Sequence, residues 1–173
     1  TPFGWLWRNG AINGDWIRAP APNDLAHRIV PYLVRAGVVE EPLSSRDEEV
    51  LAAAVPLVQE RMETLGQAVG MLGFLFVPDA AFVRNPDDAA ILDTEEGRAV
   101  VDAAAAALAP LAEWTAASIE AALRGALIEG LGLKPKLAFT PVRVAVTGRR
   151  VSPPLFESLE ILGKPSTLAR LRR

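Results

Sequence analysis

The chain has one histidine, His27, and no cysteine among its 173 residues. A hydrolytic triad or an imidazole-bound metal would have to use His27. No serine or aspartate is spaced around it for that work. It lies in "NDLAHRIVPYL", a helix-like run, and reads as a surface or boundary residue. Without thiols there is no disulfide framework and no thiolate metal site. The carboxylate pairs Asp87-Asp88 and Glu95-Glu96 fall at helix starts, where they offset the helix dipole without any catalytic duty. Neither a G-x-x-x-x-G-K-[ST] loop nor a G-x-G-x-x-G turn after a strand is present. The reading is therefore no catalytic set, no metal site and no cofactor held by these residues. "RRVS", Arg149 to Ser152, also matches a site for a basophilic kinase. A serine that caps a helix would make a poor phosphoacceptor.

What remains is charge. The net charge is −3, but it is unevenly spread. From Thr1 to Leu133 there are 9 Lys+Arg against 19 Asp+Glu; from Lys134 to Arg173 there are 9 against 2. A basic stretch in an acidic chain is a candidate polyanion surface. The competing account is basic residues gathered at helix C-termini and in a solvated tail such as "LARLRR". Half of the residues are apolar, enough for one domain or two small ones. No apolar run approaches the roughly 20 residues that span a bilayer, and no signal-peptide pattern opens the chain. The opening at Thr1 instead of Met suggests a piece of a longer protein or a trimmed product.

The elements that would position these residues read as helices. After a turn-rich opening with Trp5, Trp7 and Trp16, Asn23 or Asp24 can cap a helix to about Ala36, with Gly37 as its stop and a kink at Pro31. Ser45 with Glu48 forms a capping box. Leu51, Val55, Val58 and Met62 follow on one helical face, with a second kink at Pro56. "VPDAAFVRNPDD" is a turn-rich connection and sets a subdomain boundary, with 1–74 on one side and 75–173 on the other. "DTEEGRAVVDAAAAALAPLAEW" is a strong helix whose alanines allow close packing. Thr115 caps the next helix, where Ile119, Leu123, Leu127 and Leu131 share a face and Gly130 or Gly132 ends it.

"TPVRVAVTGRRVSPPLFESLEILGK", Thr140 to Lys164, alternates like a strand at Val142, Val144 and Val146. Its punctuation argues for helices. Thr140 is placed to cap, Pro141 suits the first helical position, and Gly148 fits just past the end. The same device follows with Ser152, Pro153 and a stop at Gly163, and again in "PSTLARLRR". The fold expected is all-α.

"KLAFTPVRVAVTGRRVSPPLFESLEILGKPSTLARL", Lys136 to Leu171, resembles the C-terminal signature of bacterial glutamyl-tRNA synthetases: a proline-x-arginine helix, a "TG" stop, a serine-proline turn, then "LFE…LGK". "INGDWIR" (Ile12 to Arg18), "VPLVQERMETLG" and "EWTAASIEAALR" resemble three further landmarks of that family, in order. The resemblance covers nearly the whole chain, apart from the opening segment 1–11. It implies a multihelical anticodon-binding domain of two helical subdomains, the C-terminal half of a class I glutamate–tRNA ligase. In that family glutamate is joined to tRNA(Glu) with ATP and magnesium, in an N-terminal domain carrying "HIGH"-like and "KMSKS"-like motifs. Neither motif occurs here, so this part alone would be non-catalytic. A cytoplasmic monomer is implied, with no membrane partner.

Carried over within the motifs, the anticodon-contacting positions fall on Arg61 (in the "R…TL" helix), Arg143, Ser152 and Leu155. The residue types suit the task. Unpaired bases are read by stacking and by hydrogen bonds to their edges, and arginine offers several donors in a fixed fork. Leucine gives an apolar surface for a base, and serine a small donor or acceptor. Arg149, Arg150 and Lys164 suit phosphates, which supply affinity without sequence choice. Read without the resemblance, Arg61 is better taken as a helix-surface ion pair with an acid such as Glu60. One departure stands out: Pro153-Pro154 replaces the family's proline-glycine, removing a backbone donor and stiffening the turn. The alternative function is a helical protein-interaction module without RNA binding, docking through its alanine-rich helices.

Overall fold

The computed structural model describes residues 21–173. Every regular element among them is helical. The described residues gather into two compact units that divide between Phe76 and Val77. The "INGDWIR" landmark and Trp5 and Trp7 lie outside the described residues.

In the first unit, α1 (Pro22–Arg35) and α2 (Ser45–Val58) pack against each other and against the short α3 (Gln67–Leu72), which leads into a 3-10 turn at Gly73–Leu75. Leu25, Ile29 and Leu33, each fully buried, repeat every four residues along α1 and so form one stripe. They meet Leu51, Ala54, Val55 and Val58 of α2. Two caps differ from the sequence reading. The N-cap of α1 is Ala21, with no side-chain bond, so the cap is neither Asn23 nor Asp24. That of α2 is Ser44, whose Oγ accepts from the Asp47 N–H at 3.1 Å. With serines at both 44 and 45, the pattern alone fixes the start only to within one residue. Both α1 and α2 continue through their internal prolines, Pro31 and Pro56.

The second unit opens with 3-10 turns at Asp79–Ala81 and Ala90–Asp93, which flank the single-turn α4 (Pro86–Ala89). Then come α5 (Glu95–Leu108), α6 (Ala116–Leu123), α7 (Pro135–Thr147), α8 (Leu155–Leu162) and α9 (Lys164–Leu171). Thr94 and Thr115 cap α5 and α6 through their hydroxyls. α5 packs on α6, α7 and α9, while α8 packs on α6 and α9. Ala104 and Ala105 are buried within α5, which is the close packing expected of the alanine run. α6 runs on into a π-helical stretch, Arg124–Gly130. The wider turn shifts the register. Leu127 stays buried while Leu131, expected on the same face, is 46% exposed.

The valines of α7 are helical, and Val142, Val144 and Val146 are all fully buried. Helices pack on more than one side of α7, so burial outweighs the weak helix preference of valine. The helix begins earlier than its punctuation suggests. Lys134 is the N-cap and Pro135 opens it, while Pro141 lies inside. Thr140 is not a cap; its hydroxyl donates back to the Lys136 carbonyl at 2.7 Å. Gly148 ends α7 in the left-handed region at φ 82°, as its position predicts. A Cβ there would also crowd the Val83 carbonyl at 3.2 Å.

A buried arginine ties the end of this unit to its beginning. Arg170, 1% exposed, donates to Asp79 Oδ1 at 2.9 Å and to the carbonyls of Val146 and Val77 at 3.0 Å each. Its guanidinium also stacks 4.0 Å from the centre of the Phe82 ring. Ser166 donates to the other oxygen of Asp79. Beside this cluster Arg84 donates to the carbonyls of Ala145 and Arg170. Burial, followed by the neighbouring charges of Arg173 and Arg170, pushes the Arg84 pKa down.

Candidate nucleic-acid interface

Arg143 is half-buried on α7, four residues before the helix ends. Its Nη1 donates to Ser152 Oγ at 2.5 Å and to the Pro153 carbonyl at 3.0 Å. These bonds follow from the reversal at Gly148, which carries residues 149–151 outward and returns Ser152 and Pro153 to the side of α7. The guanidinium is thereby held in a defined place, which a surface arginine would otherwise lose entropy to adopt.

Ser152 does not cap the following helix. The N-cap of α8 is Pro154, without a side-chain bond. Ser152 is only 3% exposed; its hydroxyl donates to the Pro153 carbonyl at 2.7 Å and accepts from Arg143. Two successive prolines explain the displaced cap. Neither has an N–H for a serine to satisfy, so the hydroxyl turns to a carbonyl and a guanidinium. Leu155, the first residue of α8, points inward at 3% exposure and offers no apolar surface to solvent. Val151 at the turn tip does, at 73% exposure.

Arg149 and Arg150 are both exposed in the turn after α7. Arg150 meets Asp88: its backbone N–H donates to Oδ2 at 3.0 Å and its Nε lies 3.5 Å from Oδ1. Part of its charge is therefore compensated within the fold. No local pattern signals this pairing, because the two residues are 62 positions apart. Lys164, at the start of α9, is half-buried and donates to the Leu111 carbonyl at 2.7 Å. It fastens the segment after α5. Trp114 does similar work, donating its indole N–H to the Leu159 carbonyl at 2.8 Å.

In the first unit, Arg61 is exposed. It sits just beyond α2, not within a helix: its own N–H bonds to the Val58 carbonyl at 2.9 Å. The fully buried Met62 anchors this turn on one side. Gln67 anchors it on the other, where Oε1 accepts from the N–H groups of Glu63 and Thr64. The second unit thus brings Arg143, Ser152, Arg149 and Arg150 to one helix end, while Arg61 is presented by a braced turn of the first unit. Among the described residues no group of His, Asp and Glu is placed to hold a metal ion, and no helix is long and apolar enough to cross a membrane.

The sequence model of the anticodon binding domain family matches residues 24–173, nearly the whole chain. The chain belongs to the anticodon-binding domain family. A glutamate–tRNA ligase of Kineococcus radiotolerans is 61% identical over 163 residues, 94% of this chain and 32% of that protein. One of Acidothermus cellulolyticus is 52% identical over 173 residues, all of this chain and 33% of that protein. The chain therefore spans about a third of the length of the relatives it matches. Among solved structures, a glutamate tRNA ligase from Elizabethkingia meningosepticum superposes with a TM-score of 0.74 at 16% identity, over 94% of this chain and 30% of that one. A glutamate-tRNA synthetase from Elizabethkingia anophelis gives 0.71 at 17%, over the same shares of the two chains. At that identity the two structures speak for the fold, and the fold they share with this anticodon-binding domain is helical.

Proposed function

We propose that this chain is the anticodon-reading part of a glutamate–tRNA ligase, with two helical subdomains, 1–74 and 75–173, that each contribute to reading the anticodon of tRNA(Glu). The observation that carries the reading is a guanidinium held by hydrogen bonds to Ser152 and Pro153 beside an exposed basic turn, in a chain matched over residues 24–173 by the anticodon-binding family. Arg143 reads a base edge. Ser152 acts by holding Arg143, and Leu155 by packing the helix that follows the turn. Arg149 and Arg150 meet phosphates, Arg150 by exchanging Asp88 for a phosphate, equal in charge and suited to the planar guanidinium. Lys164 contributes positive potential near the site while bonded to Leu111. Arg61 reads a second base from the first unit.

In the longer protein, a preceding catalytic domain uses ATP and magnesium to attach glutamate, as a cytoplasmic monomer. The test is binding of this chain to an anticodon stem-loop of tRNA(Glu) and to anticodon-substituted versions, by filter retention at two salt concentrations. Tighter binding of the natural loop, weakening steeply with salt, is expected. Equal retention of every loop would reject anticodon reading.

A further inference from the structure

A pair of phenylalanines lies on the same face as Arg143 and has no part in the site described so far. Phe139 precedes Arg143 by four residues on α7, which places both on one face of the helix. Its ring meets that of Phe156, in the first turn of α8, edge to face, with centroids 5.3 Å apart and planes at 89°. Both rings are half-buried. Both stay partly open to solvent although Val142, Ala145, Val146, Leu155 and Leu159 on the same two helices are buried. On the other side the Arg124 guanidinium lies 5.5 Å from the Phe139 centroid, with Glu120 bonded to its Nε at 2.9 Å. Lys136, exposed, is one turn before Phe139.

We propose that Phe139 and Phe156 form a stacking surface for one unpaired base of the RNA loop, next to the base edge that Arg143 reads. The proposal rests on the anticodon reading above and names residues that reading does not use. Its chemistry is that of single-strand recognition, in which partly open aromatic rings interleaved with guanidinium groups take the face of a base. Arg124, Arg143 and Lys136 stand around these rings, which supplies the positive charge that a nucleic-acid strand requires beside a stacking surface. A stacked base is also polar at its edge. Arg143 meets that edge while the rings hold its face, so the two interactions act on the same base.

The test uses the 173-residue chain and an anticodon stem-loop of tRNA(Glu) carrying a fluorescent base analogue at one loop position per RNA. Stacking predicts quenching on binding at one position and little change elsewhere. F139L and F156L, close in volume and still apolar, should each weaken binding about tenfold and remove the quench; tenfold is about 1.4 kcal/mol, within the range for one stacked base. F156Y, which keeps the ring, should restore both. The salt dependence should be unchanged in all three, since no phosphate contact is lost. A lack of quenching at every position overturns the proposal with the unmodified chain alone, whatever the variants do to folding. Leucine variants that bind like the parent, while R143A still loses discrimination, would also overturn it and leave anticodon reading standing. Failure of every loop to bind would reject both.

Discussion

Arg143 is worth separating from the arginines near it, because its surroundings are different. Its guanidinium is positioned by Ser152 Oγ and the Pro153 carbonyl, whereas Arg149 extends from an exposed turn. R143A should cost about 1–3 kcal/mol on the natural anticodon, taking the range for a good base contact in DNA, and much less on a substituted one. R149A should weaken both loops equally and flatten the salt dependence. The comparison is a double-mutant cycle with one partner on the RNA. If R143A lowers the affinity of both loops by one factor, it touches phosphate or structure only. S152A removes one of the two acceptors that hold Arg143, so it should reproduce part of the R143A loss, and S152T should recover it. R61A should follow the R143A pattern at a different anticodon position.

At the scale of elements, two joints in the second unit depend on single residues. Gly97 in the first turn of α5 has no room for a side chain: a Cβ would lie 2.0 Å from the Ile91 carbonyl oxygen. That oxygen belongs to the backbone of the preceding 3-10 turn, so relief requires moving the element. G97A should destabilise the chain by about 1–3 kcal/mol despite the better helix propensity of alanine. Urea unfolding followed by circular dichroism measures this, and a gain in stability would refute the crowding. Arg170 is the second joint. R170M fills similar volume but leaves the carbonyls of Val77 and Val146 without their donor. A loss of at least about 3 kcal/mol is expected, together with looser protection of amides around Asp79 on hydrogen exchange. A loss confined to a few tenths would mean that the carbonyls find other donors cheaply.

For the molecule as a whole, the acidic balance should matter as well as the basic stretch. The steep loss of affinity with salt should come from the basic stretch, Lys134 to Arg173, while repulsion of RNA by the 19 acids of the first 133 residues, itself screened as salt rises, offsets part of it. Affinity that holds steady across a several-fold rise in salt would count against this electrostatic mechanism. The chain alone should give no ATP–pyrophosphate exchange with glutamate, because neither a "HIGH"-like nor a "KMSKS"-like motif occurs in its sequence. Turnover by the purified chain would overturn the assignment of catalysis to another part of the longer protein.

The sequence by itself determined the helical class, the stops at Gly148 and Gly163, the cap at Thr115, and the family. These are local properties: glycine at φ 82°, a hydroxyl three residues from an open N–H, and a signature long enough to be specific. Caps shifted wherever two candidates stood side by side, as at Ser44 and Ser45, or where prolines removed the N–H to be capped, as at Ser152. The side of the site that each residue takes was decided only by tertiary structure. Leu155 turned inward because its helix packs on α6 and α9, and Val151 was left at the tip because the turn has nothing beneath it to bury. Arg150 met Asp88, Lys164 met the Leu111 carbonyl, and Arg170 was enclosed among Asp79, Val77 and Val146. Each of these contacts joins residues that are distant in the chain, and helical spacing specifies a face but not what the face will meet.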